Sequence, residues 1–118
     1  MTTREIADDL VALCRQGRFE ESGEKHWADD VISVEFGGEN PVSKGKDAAR
    51  AKGQWFTGAH DIHAVTVEGP WLNGEQFVVR FGMDMTNKES GQRMKMEEAA
   101  LYTVRDGKIA EERFFYGG

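Results

Sequence analysis

The sequence predicts one α+β domain: a strongly curved antiparallel/mixed sheet with three helices in the N-terminal half. Element order predicts it first. Two helical segments, an extended run and a third helical segment precede at least four strands joined as hairpins. The second observation is strict alternation in Glu75–Thr86, which separates Phe77, Val79, Phe81, Met83 and Met85 from Val78, Arg80, Gly82, Asp84 and Thr86. The third is the tight turn Arg105–Lys108, which joins MKMEEAALYTV to IAEERFFY with Gly107 suited to a positive φ.

Each element has its own physical signal. Thr3–Arg15 places Ile6, Leu10, Leu13 and Cys14 on one helical stripe, with a threonine to cap it, Glu5 near its positive end and Gly17 to stop it. Arg18–Trp27 is a short second helix anchored by Phe19 and Trp27. Val31–Phe36 is extended, with Val31, Ser33 and Glu35 on one face, and Gly37–Pro41 is a loop. Gly45–Phe56 is the third helix, weakened by Gly53. His60–Glu68 is a strand, Gly69-Pro70 turns or bulges, and Asn73-Gly74 is a hairpin turn.

Composition narrows the function. A chain of 118 residues suits one domain with its own core, and a net charge of -6 without a basic stripe opposes nucleic acid. Lys44, Lys46, Arg50 and Lys52 read as helix solvation. Cys14 is the single cysteine, so no internal disulfide is expected and a small buried hydrophobe is the simpler reading. No run is long and apolar enough for a membrane helix, and the N-terminus lacks a signal-peptide core, so a cytoplasmic protein with no membrane partner is expected. The lack of low-complexity linkers suggests a complete protein. His60 and His63 fall on opposite faces of a strand, so no metal site and no cofactor are expected.

Several short stretches resemble the NTF2-like superfamily, in particular its SnoaL-like and ketosteroid-isomerase-like branch. Gly17-Arg18-Phe19 with Trp27-Ala28-Asp29-Asp30-Val31 is similar to the family's glycine turn, second helix and F-A-D-D-A start of strand one. Gly45-Lys46-Asp47-Ala48 resembles the G-x-x-A-I start of helix three, and Leu101–Phe114 the F-x-x-x-x-G-K-I-x-x-x-R ending. The resemblance spans nearly the whole chain and implies a cystatin-like, cone-shaped roll, an apolar pocket in its concave face and frequent dimerisation through the sheet. It also implies where an isomerase would keep its groups. Leu10 stands at the oxyanion tyrosine, Glu35 at the aspartate base and Ala99 at the protonated aspartate. With both stabilisers replaced, a ketosteroid isomerase is not expected.

Placing Ala99 inward sets the phase of the sheet. Lys95, Glu97, Ala99, Leu101 and Thr103 then face the cone, with Val78, Arg80, Gly82 and Asp84 on one neighbour and Ala110, Glu112, Phe114 and Tyr116 on the other. In that phase Glu35 is the base and Asp84 or Glu97 an acid or orienting group. Arg80 holds an anionic or carbonyl part of the ligand or pairs with Glu97 or Glu112, and Tyr116 donates at the mouth. His26 near the mouth is a further base candidate, and Trp55 a pocket wall. Glu98 points the other way with Met94, Met96, Ala100 and Tyr102, on a face suited to a homodimer. Three functions compete: an isomerase, cyclase or hydratase acting on a small apolar or cyclic molecule with a polar group, a ligand-binding domain without turnover, and a dimeric interaction module.

Overall fold

The computed structural model describes residues 1–37 and 41–116. The elements are α1 Thr3–Arg15, α2 Phe19–His26, β1 Trp27–Val34, β2 Val42–Lys44, α3 Lys46–Ala59, β3 His60–Asn73, β4 Gln76–Asn87, β5 Arg93–Arg105 and β6 Lys108–Tyr116. The α+β class holds. The strands form one mixed sheet in the order β2-β1-β6-β5-β4-β3, with β1 and β6 parallel and the other neighbours antiparallel. The sheet is a cystatin-like roll that stays open, with β2 and β3 at its edges.

Local chemistry explains the elements that frame the interior. Thr2 and Glu5 close a reciprocal capping box at the start of α1. Its buried stripe of Ile6, Ala7, Leu10, Val11, Leu13 and Cys14 then packs toward the sheet. The core joins that stripe to Phe77, Val79 and Phe81 of β4, Ala100, Tyr102 and Val104 of β5, and Ile109 of β6. Phe77 and Tyr102 stack with ring centres 4.9 Å apart. The β5–β6 turn has Asp106 at φ 53° and Gly107 at φ 73°, as the sequence suggests.

Several boundaries differ from expectation: β1 ends at Val34 and not Phe36, α3 runs on to Ala59 and not Phe56, and β3 continues past Glu68 to Asn73 with a bulge at Gly69-Pro70. Trp27 opens β1 instead of closing α2: its backbone is extended, at φ -65° and ψ 136°. Gly23 permits this, because a Cβ there would lie 2.5 Å from the Trp27 ring. The three-residue β2, too short to show a period, pairs with the outer edge of β1 through Ser33–Ser43 and its neighbours. The loop expected at Gly37–Pro41 falls partly on residues 38–40, outside the described residues.

The phase of the sheet is the main correction. Registers align Arg80, Ala99 and Phe115 on one face, and Phe81, Glu98 and Tyr116 on the other. The helices cover the second face, because it carries the large apolar side chains whose burial stabilises the fold. Lys95, Glu97, Ala99, Leu101 and Thr103 therefore lie on the outer face with Arg80, Gly82 and Asp84, and Glu98 lies inside. The face expected to meet a partner, with Ala100 and Tyr102, is the core. A Cβ at Gly82 would meet Thr66 Oγ1 at 2.5 Å, so this glycine accommodates a neighbouring strand and not a ligand. In β6 a bulge between the Thr103–Glu111 and Val104–Ile109 pairs lets both Ile109 and Glu112 face inward, although they are three residues apart.

Candidate functional site

Helices and curved sheet enclose a cavity of about 190 Å³. Its walls are mainly apolar and aromatic: Leu10 and Cys14 of α1, Phe19 of α2, Ala49 and Phe56 of α3, Phe81, Met83, Met96, Tyr102, Ile109 and Phe114 of the sheet, and Trp27. The charged groups on the wall are Glu20, Glu35, Arg50, Lys52, Glu98 and Glu112, and Tyr116 adds a phenol. Burial pushes the Cys14 thiol up to about 12, so at neutral pH it is a packed thiol and no nucleophile.

One hydrogen-bonded chain ties most of the polar groups together. Trp27 Nε1 donates to Glu112 Oε1 at 2.8 Å, and Ser33 Oγ donates to Glu112 Oε2 at 2.7 Å. Lys52 Nζ donates to Ser33 Oγ and pairs with Glu35 Oε1 at 2.8 Å. The Tyr116 hydroxyl donates to the other oxygen of Glu35. Burial raises the pKa of Glu112, while its two donors and Lys52 pull it down. Burial also raises the Tyr116 phenol, and donation to Glu35 adds to that, so it remains a donor.

Glu98 stands apart from this chain. It faces the cavity, flanked in register by Phe81 and Tyr116. Among the described residues, no hydrogen bond or ion pair reaches its carboxyl. Burial, reinforced by Glu35 and Glu112 and opposed by Lys52, pushes its pKa up to about 7. A carboxyl poised there in an apolar chamber can give or take a proton at neutral pH.

The residues expected at a site separate into two groups. Glu35, Glu112, Tyr116 and Leu10 line the cavity. Arg80, Glu97, Asp84 and Ala99 do not: Arg80 pairs with Glu97 at 2.7 Å and Asp84 with Arg93 at 3.0 Å, all on the outer face. Glu112 therefore takes Trp27 and Ser33 as partners, never Arg80. His26 is buried between α1 and α2, its Nε2 2.6 Å from Asp9 Oδ2, and burial lowers its pKa although Asp9 opposes this. It stands behind the cavity wall as a helix–helix contact. Trp55 is 70% exposed, because the cavity side of α3 runs through Ala49, Lys52, Gly53 and Phe56. His60 Nδ1 lies 2.9 Å from the Phe56 carbonyl oxygen and His63 Nε2 2.7 Å from Thr86 Oγ1, so the two rings serve separate contacts. Glu98 and Lys52 were missed as site residues. The signal for Glu98 was a charged residue in phase with Met96, Ala100 and Tyr102.

Residues 1–116 match the family profile described as a SnoaL-like domain. The chain belongs to the SnoaL-like family. Its fold and profile place it in the SnoaL branch of the NTF2-like superfamily. Among solved structures, this SnoaL-like chain is similar to a proposed SnoaL-like polyketide cyclase from Mesorhizobium loti. The two are 49% identical, the match covers 98% of this chain and 100% of that one, and the TM-score is 0.94. A proposed isomerase from Bacillus subtilis has 16% identity, coverage of 99% and 90%, and a TM-score of 0.81. A proposed SnoaL-like polyketide cyclase from Jannaschia sp. CCS1 has 17% identity, coverage of 97% and 84%, and a TM-score of 0.78. The latter two likenesses concern the fold. No curated protein matches the chain. Among the described residues, no helix is long and apolar enough to cross a membrane, and no group of three or more His, Cys, Asp or Glu is arranged to hold a metal ion.

Proposed function

We propose that this chain is an acid–base enzyme of the isomerase, cyclase or hydratase kind. It would bind a small, largely apolar molecule in the cavity and move a proton on it. The supporting observation is Glu98: a carboxyl without a partner among the described residues, facing an aromatic chamber, with its pKa pushed up to about 7 by burial. Glu98 is the group that exchanges the proton. Glu35, the base expected from the sequence, is engaged by Lys52 and Tyr116 and is assigned an orienting role. The names of the similar Mesorhizobium loti and Bacillus subtilis proteins agree with this class of reaction.

Solvent-deuterium incorporation tests the reading, followed by NMR on a panel of small cyclic ketones, hydroxyketones and aminoketones. The expected result is incorporation by the parent protein and its loss in Glu98→Gln. No incorporation above the Glu98→Gln background across the panel overturns the assignment of catalysis and leaves a binding domain.

Self-association is a second reading, on the face opposite to the one expected. Val78, Ala99 and Leu101 are half-buried on the outer face beside Phe115, which is 46% exposed. A homodimer through this face would cover them. Sedimentation equilibrium should find a dimer that Phe115→Glu weakens; a monomer in the parent protein removes this reading.

A further inference from the structure

The cavity already holds one ammonium group, and its surroundings describe what such a group needs here. Lys52 Nζ pairs with the Glu35 carboxylate at 2.8 Å and lies 5.0 Å from the centre of the Phe114 ring. A carboxylate combined with an aromatic face is a general solution for a desolvated organic cation. Glu98 repeats the arrangement without the cation. Its register neighbours on the inner face are Phe81 and Tyr116, and among the described residues no cationic side chain pairs with it.

We propose that the ligand of this cavity carries a basic nitrogen, and that its ammonium group pairs with Glu98 between Phe81 and Tyr116. The proposal rests on reading the cavity as the small-molecule site and names the class of molecule: one Glu98 oxygen pairs with the ammonium, and the other stays free to exchange the proton of the proposed reaction. Charge balance supports it. Four carboxyls line the cavity: Glu35, Glu98 and Glu112, and Glu20, which accepts from Gln54; they meet one lysine whose ammonium is engaged by Glu35 and Ser33. Arg50 also reaches the wall, but its guanidinium is turned to Glu24 and Asp47. An anionic ligand enters against this excess of negative charge, and a neutral one leaves Glu98 either protonated or unpaired. An ammonium supplies the missing charge, and the aromatic walls accept its apolar body.

Three single-ring probes of matched shape separate the alternatives: benzylamine, benzyl alcohol and benzoate. Binding is measured by calorimetry to the parent protein, to Glu98→Gln and to Glu97→Gln, with circular dichroism to verify folding. At about pH 8 the amine should bind about tenfold or more tightly than the alcohol, with benzoate weakest. Glu98→Gln should remove that preference, while Glu97→Gln on the outer face should change it by less than about twofold.

The amine's advantage should also shrink between about pH 8 and pH 5. The probe stays protonated over that range while Glu98 gains its proton. The charged or titratable groups facing Glu98 are Glu35, Lys52, Tyr102, Glu112 and Tyr116; any pH dependence that remains in Glu98→Gln belongs to them, and the difference from the parent belongs to Glu98 and its coupling to them. Equal or tighter binding of benzyl alcohol overturns the ammonium proposal and keeps the cavity as a small-molecule site. An amine preference that survives in Glu98→Gln also overturns it. If no probe binds, the proposal fails, and the ketone exchange assay decides separately whether the acid–base reading stands.

Discussion

Glu97 and Glu98 are neighbours in sequence and opposites in circumstance. Glu97 lies on the outer face of β5, with a side chain 68% exposed, and accepts from Arg80 at 2.7 Å. Glu98 lies on the inner face with no partner among the described residues, and burial pushes its pKa up to about 7. One step along a strand exchanges water and an arginine for an aromatic chamber. An exposed pair gains little because water already satisfies both ions, whereas a lone carboxyl in an apolar wall holds its charge at a cost. Function follows the environment of a carboxylate more than its presence in the sequence.

The largest effect should come from breaking the inner member of this pair. If Glu98 transfers the proton, Glu98→Gln lowers kcat/KM by about 10²–10⁴-fold for any substrate that the panel reveals. Glu97→Gln should stay within about twofold of the parent in the same assay, about 0.4 kcal/mol in transition-state terms. Equal losses in the two variants would place the relevant carboxyl elsewhere.

Ser33 sharpens the comparison from the neighbouring polar chain. Its hydroxyl donates to Glu112 and accepts from Lys52 in a buried position, so Ser33→Ala leaves both with a missing bond. A loss of about 1–3 kcal/mol in urea unfolding is expected. Ser43, its partner on the edge strand β2, provides the control; Ser43→Ala should cost no more than about 0.5 kcal/mol.

What could be read from the sequence follows the range of the interactions. The α1 stripe, the Asp106-Gly107 turn and the alternation of β4 are local patterns, and each appears in the fold. The alternation separates two faces without saying which one the helices cover. Large side chains at Phe77, Phe81 and Met85 were the physical answer, because they need burial. Aligning Ala99 with an inward family position pointed the other way, and that choice misplaced Arg80, Asp84, Glu97 and Glu98 together. The bulge that brings Ile109 and Glu112 to the same side has no sequence period to reveal it. Contacts such as Trp27 to Glu112, 85 residues apart, depend on tertiary placement and leave no local trace.

The pH dependence of stability distinguishes the same two faces with a smaller signal. Glu98 has a reference pKa of 4.5 and is pushed up to about 7 in the folded chain. Between those values the folded state binds more protons than the unfolded state. Its contribution therefore favours folding below about 4.5 and is lost as pH rises through about 7, on the order of 2 kcal/mol after allowing for partial solvation. His26 acts in the opposite sense: its lowered pKa removes stability as pH falls below 6.5. Subtracting the Glu98→Gln curve from the parent curve cancels His26 and isolates Glu98. A flat difference between about pH 4 and pH 8 would mean that the carboxyl is solvated in the folded chain.

The smallest effect belongs to the outer pair. Arg80 and Glu97 have side chains 49% and 68% exposed, so water and salt screen their attraction. A double-mutant cycle through Arg80→Ala and Glu97→Ala should give a coupling of no more than about 1 kcal/mol, falling further in high salt. A larger, salt-insensitive coupling would mean that the pair is buried in solution. Because this pair lies on the face with Phe115, a second copy of the chain would be the cover, so repeating the cycle in Phe115→Glu tells whether association is its source.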